Sequence, residues 1–175
     1  MDARLYYLQG KAKRVKPADV IELLREFYRD KASIRQRHVA GARFVTNYDF
    51  NNTYQYVIAR EDVQLRWLID AIADLGGTVD VADASFSASG KGEQAQASIL
   101  REDSNGAQGF VDRWRDRVEK VTNARNRNML RVILGETMEH KRFFDQAIAG
   151  REDLLGRRAD GAGTGGGVMP TRWVE

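Results

Sequence analysis

The sequence predicts an all-α fold, a four-helix bundle of two antiparallel helical hairpins joined by a long crossover. Three observations predict it. Four extended segments repeat apolar residues at steps of three and four, the spacing of one helix face. No stretch alternates apolar and polar residues as a half-buried strand would. Two of the three connections are short, whereas the middle one, over residues 78–94, is long and polar. At about 3.3 Å per extended residue, that connection can run back along a helix of about 25 residues, or about 38 Å.

The first segment opens at Pro17, a residue suited to a first helical turn, and Asp19 favours the positive end of the helix dipole. Its apolar line passes through Val20, Leu23, Leu24, Phe27, Ile34, Ala42 and Val45 and ends near Asn47. The second opens around Asp49, carries Tyr54, Val57, Ile58, Leu65, Leu68, Ile72 and Leu75, and stops at Gly76 and Gly77. The third has no sharp start and carries Ile99, Leu100, Ala107, Phe110, Val111, Trp114, Val118 and Val121. Thr122 and Asn123 are both good N-cap residues for the fourth, whose line is Met129, Val132, Ile133, Phe143 and Ala147.

Composition narrows the function classes. With 175 residues, 42% hydrophobic and 30% charged, the chain has the size and balance of one globular domain with a substantial core. It has no cysteine, which excludes disulfides, thiolate metal centres and cysteine nucleophiles. The net charge of +3 is too small to argue for a nucleic-acid partner, and "KAKRVK" (Lys11 to Lys16) is its one compact basic cluster. No segment approaches the roughly 18 to 20 apolar residues of a membrane span, so a cytoplasmic protein is expected. No phosphate-binding glycine loop or nucleophile elbow is present.

The informative residues are the charges that interrupt the apolar lines. Steps of three and four place Asp30 on the first helix, Glu61 on the second, Asp103 on the third, and Glu136 with Glu139 or His140 on the fourth. Folding each hairpin about its turn sets Glu61 opposite a point near Ile34, and Glu136 with His140 opposite a point near Ala107. A buried ionised carboxylate costs several kcal/mol unless it meets a cation. Two cation sources answer that requirement. A pair of metal ions suits carboxylate oxygens and imidazole, with iron or manganese the expected elements. Alternatively, Lys31, Arg35, Arg60 and Arg131 lie near the same levels and supply ion pairs. His38 falls about 12 Å along the helix from Asp30, too far to share an ion, and reads as a core histidine bonded to a neighbour. Tyr54 and Trp114 read as packing residues.

The stretches "AREDVQLRWLIDAIADLGG" (Ala59 to Gly77) and "VILGETMEHKRFF" (Val132 to Phe144), with the long crossover, resemble the ferritin-like superfamily in its rubrerythrin and bacterioferritin-related branches. The resemblance spans about residues 17–150. It implies two irons held by one Glu from each of two helices and an E-x-x-H motif from each of the others, and the oxidation of ferrous iron by dioxygen or peroxide. Glu61 stands where the motif glutamate would, but Gln64 replaces its histidine. Glu136 matches in the last helix, where Glu139 takes the histidine position and His140 follows it. The implied ligand set is therefore Glu61, Glu136, His140, Glu139, Asp30 and Asp103, with Gln64 as a hydrogen-bonding neighbour.

Four parts are expected: a basic segment (1–16), the bundle (17–150), a Gly-rich linker (151–167) and a C-terminal docking peptide (168–175). The peptide, "VMPTRWVE", carries Met169, Pro170, Arg172, Trp173 and Val174 beyond the flexible "ADGAGTGGG". Trp and Arg concentrate contact energy, and a tether lets them search a partner surface. The arrangement resembles that by which some ferritin-like cargo proteins enter protein nanocompartments. The expected function is thus a ferritin-like subunit or cargo of a larger assembly, a homo-oligomer included, with a degenerate metal site. A di-iron or di-manganese oxidase is the alternative, and a DNA-associated ferritin-like protein the third reading.

Overall fold

The computed structural model describes residues 17–80, 92–151 and 154–155. The basic segment 1–16, the middle of the crossover, most of the Gly-rich linker and the docking peptide 168–175 lie outside these residues. The described chain is all-helical, with α1 (Pro17–Ala42), α2 (Tyr48–Asp74), α3 (Gly92–Glu119) and α4 (Ala124–Ile148). Helix α1 packs on α2 and α3, and α4 packs on α3 and α2. Among the described residues, no helix is long and apolar enough to cross a membrane.

Helix boundaries follow local chemistry. Asn47, expected near the end of the first helix, instead begins the second: its side chain accepts from the Asp49 and Phe50 amides. Helix α1 therefore stops at Ala42, and residues 43–47 form the turn. Helix α2 ends where Gly76 takes a φ of 81°, a conformation costly for a side-chain-bearing residue, while the Gly77 amide reaches back to the Ile72 carbonyl. Helix α3 starts at Gly92, so its polar first turns belong to the helix rather than to the crossover. Asn123 caps α4 by accepting from the Asn126 amide. Asn123→Ala is expected to cost about 1 kcal/mol in urea unfolding and Asn123→Ser almost nothing. Equal losses in the two variants would show that the cap is not what holds this end.

The core divides into two apolar clusters. One gathers Leu24, Phe27, Leu68, Ile72, Phe110, Trp114, Val118, Leu130 and Ile133. The other gathers Ala42, Phe50, Tyr54, Val57, Ile99, Leu100, Phe143, Phe144 and Ala147. Leu154, inside the expected linker, is also buried in the second cluster. Along every helix, buried polar residues separate the two: Lys31 and His38 in α1, Glu61 and Gln64 in α2, Asp103 and Ser104 in α3, Thr137 and His140 in α4. Val132, expected on the inner line, is exposed, because the buried stripe of α4 runs through Leu130, Ile133, Leu134 and Thr137.

Candidate functional site

The polar layer between the two clusters is centred on Glu61, which has no solvent exposure. Lys31, equally inaccessible, donates from Nζ to Glu61 Oε1 at 2.9 Å and to Thr137 Oγ1 at 3.1 Å. Lys31 sits one turn beyond Phe27 on the buried stripe of α1, and Phe110 presents its ring face to the ammonium at 5.6 Å. The other oxygen of Glu61, Oε2, is 2.9 Å from His38 Nδ1. His140 Nδ1 lies 4.0 Å from Glu61 Oε1. Three helices thus bring a carboxylate, two imidazoles, an ammonium and a hydroxyl to one point.

His38 links this point to a second. Its Nε2 is 3.9 Å from Asp103 Oδ1, while Asp103 accepts from Arg37 Nε at 3.0 Å and from the Tyr54 hydroxyl at 2.5 Å. Gly106 leaves room for the Arg37 guanidinium, which a Cβ there would strike. Tyr54 and Trp114 do pack as expected, yet each also donates to a carboxylate, Trp114 through Nε1 to Asp30 at 2.9 Å.

The electrostatics follow from burial among these partners. Burial alone would push the Glu61 carboxyl up, but the neighbouring His38 ring and Lys31 ammonium outweigh it and hold the group down at about 2. His140 is pushed down to about 3, first by burial and then by the Lys31 charge, so its imidazole is neutral near pH 7. Burial and the adjacent Asp103 carboxylate push the Tyr54 hydroxyl far up, keeping it a donor. His140 Nδ1, His38 Nε2 and Gln64 Oε1 are buried without a hydrogen-bond partner.

The six residues expected to share a metal pair separate in space. Glu61 and His140 meet in the centre, and Asp103 joins them only through His38. Glu136 lies on the seam between α2 and α4, where Arg60 Nη2 donates to Oε1 at 2.5 Å and Gln64 Nε2 donates to Oε2. Asp30 turns toward α3 and pairs with Arg113 and Trp114. Its expected inward place is taken by the next residue, Lys31, which is four positions beyond Phe27. Glu139 is on the outer face of α4, 44% exposed, with Arg142 at 3.5 Å. A step of three from Glu136 carries the chain off the buried stripe, whereas a step of four returns to it at His140. All five carboxylates are met by donors from the chain itself, so this arrangement does not fit a two-metal centre. Among the described residues, no group of three or more His, Asp or Glu is placed to hold an ion.

Sequence reasoning named Lys31 and Arg60 as alternative partners, and they do pair with Glu61 and Glu136. His38 is the core histidine bonded to a neighbour that the sequence predicts, but the identity of that neighbour, Glu61 across on α2, was not part of the expectation. The available signal was the register that set Glu61 opposite Ile34: Lys31 and His38 bracket that residue by one turn on either side. No protein-family model matches the chain, and no curated protein does.

Proposed function

We propose that this chain is a bundle subunit of a larger protein assembly, joined to its partner through residues 168–175, and that its charged core layer serves the fold rather than a reaction. The observation that carries this reading is the pairing of every carboxylate expected as a ligand with a cation of the chain itself: Glu61 with Lys31, Asp103 with Arg37, Glu136 with Arg60, Asp30 with Arg113 and Glu139 with Arg142. Internal pairing answers the burial cost that would otherwise call for metal. The Met, Trp and Arg of "VMPTRWVE" supply the anchors of a docking segment.

A ferritin-like arrangement is the architecture we assign to it. The bond from Arg25 to the Thr78 carbonyl just past α2 and the Lys31–Glu61 pair support an antiparallel α1–α2 hairpin, and Glu119 with Arg131 and Ser104 with Asp145 support an antiparallel α3–α4 hairpin. The order of the two apolar clusters along α2 and α3 is the same, which a crossover running back the length of the bundle would produce.

Deleting residues 161–175 tests the assembly reading. The deleted chain is expected to keep its helical circular-dichroism spectrum while moving, in size-exclusion of a native extract, from a large complex to the position of the free chain. Unchanged elution, or a loss of helicity, would reject the docking role. Anaerobic incubation of the full chain with ferrous iron, followed by metal analysis by mass spectrometry, tests the core. Retention of about two ions per chain, lost on Glu61→Ala, would instead support the di-metal oxidase reading.

A further inference from the structure

We propose that the outer face of α4, centred on Gly135, is a contact surface for a second copy of this chain, packed antiparallel to the first across a twofold axis. This contact goes beyond the docking of residues 168–175 and does not depend on it, because its residues all lie on α4.

Gly135 stands near the midpoint of α4, where glycine is the poorest helix former after proline. Nothing inside the chain asks for it there. Its φ is not positive, and an added Cβ would meet no atom within 4 Å. Gly106 differs, since a Cβ at that position strikes Arg37. Residue 135 is open to solvent, and one turn before it Val132 is 48% exposed, unusual for a large apolar side chain in this bundle. A bare stretch of helix beside an exposed valine lets a second backbone come close and gives it an apolar contact. Gly109 on α3 is equally open, but its surface neighbours Asn105, Asp112 and Arg113 are polar.

Charge selects both the occupant and its direction. Arg131 lies four residues before Gly135 and Glu139 four after it, so the two flank the glycine on one side of the helix. When Gly135 meets its own equivalent in an antiparallel copy, Arg131 stands level with the partner's Glu139, and Glu139 with the partner's Arg131. Asn128 and Arg142, seven residues to either side, stand level in the same way, an amide oxygen facing a guanidinium. A parallel copy would instead set Arg131 against Arg131 and align the two helix dipoles. The face is therefore complementary to itself, as an isologous contact requires. Within the chain Arg131 pairs with Glu119 and Arg142 with Glu139, on side chains 44% to 62% exposed. Exposed pairs of this kind contribute little and can be shared or exchanged at small cost.

Sedimentation velocity of the purified full chain, from micromolar to submillimolar concentration, tests the contact. The expected species at the upper end has twice the chain mass of 19.8 kDa. Gly135→Gln places a bulkier and better helix former at the axis. It is expected to weaken the dimer at least about tenfold while raising the melting temperature of the dilute chain. Glu139→Arg is expected to weaken it similarly by opposing Arg131, and Arg131→Glu combined with Glu139→Arg to restore it, because exchanged charges still oppose each other across the twofold axis. A single-chain mass at every concentration overturns the proposal. So does a dimer that tolerates both Gly135→Gln and Glu139→Arg. A dimer lost only when residues 161–175 are deleted assigns self-association to the tail, which overturns the α4 contact and leaves the docking reading standing. A dimer that survives that deletion but not Gly135→Gln supports the α4 contact whatever the tail binds.

Discussion

Replacing Glu61 by alanine is expected to remove about 3 to 5 kcal/mol of unfolding free energy, because it strands a buried ammonium inside the bundle. Lys31 and Glu61 have no solvent exposure, so water cannot take over the role of the lost partner. Lys31→Met should be costly for the mirror reason, leaving the carboxylate with His38 but no permanent cation. The double change Lys31→Met with Glu61→Leu removes both desolvation costs together and replaces them by apolar packing. It is expected to recover most of the loss, although His38 forfeits its bond to Glu61. The corresponding coupling, about 2 kcal/mol or more, would be read from urea unfolding of the four chains at pH 7. Additive penalties across this cycle would show that the two charges do not act as a unit.

Acid should unfold this protein in two overlapping steps. His140 is pushed from 6.5 down to about 3, so the unfolded chain takes up its proton first. The stability this contributes is complete above pH 6.5 and is lost as pH falls from there toward 3. Glu61 is held down from 4.5 to about 2, so its contribution is complete above pH 4.5 and is lost between 4.5 and 2. Each differential proton changes the unfolding free energy by about 1.4 kcal/mol per pH unit, which makes several kcal/mol available from the pair. Urea midpoints should therefore be level from pH 7 to 8 and fall steadily below about 6.5. His140→Gln should flatten the upper part of that fall and leave the part near pH 4 in place. A wild-type midpoint constant from pH 7 down to 5 would contradict a neutral, buried His140. At the alkaline end the sign reverses: Tyr54 is pushed up from 10, so its contribution is present below pH 10 and is lost above it.

Both predictions depend on a layer of which the sequence carried half. Glu61 and His140 were legible because each interrupts an apolar stripe at a step of three or four, and a buried charge is conspicuous there. Asp30 and Glu139 satisfied the same arithmetic less strictly, and one residue of rotation, about 100° on a helix, was enough to turn them out of the centre. Lys31 was visible as a nearby cation but not as the central one, since a lysine on a stripe reads equally well as a side chain reaching for water.

By itself the sequence determined, over the described residues, the all-helical class, the four helices and several of their ends, because apolar periodicity and the Asn123 and Gly76 signals act within a few residues of chain. It also determined that charge would enter the core, since those charges lie on the apolar stripes. Only the tertiary structure decided which cation meets which anion. Such a choice depends on the rotation and axial offset of four helices relative to one another, and a shift of one residue exchanges an aspartate for a lysine. The packing of α1 against α2 placed Lys31, rather than Asp30, at Glu61, and so made the bundle centre an ion pair of the chain's own.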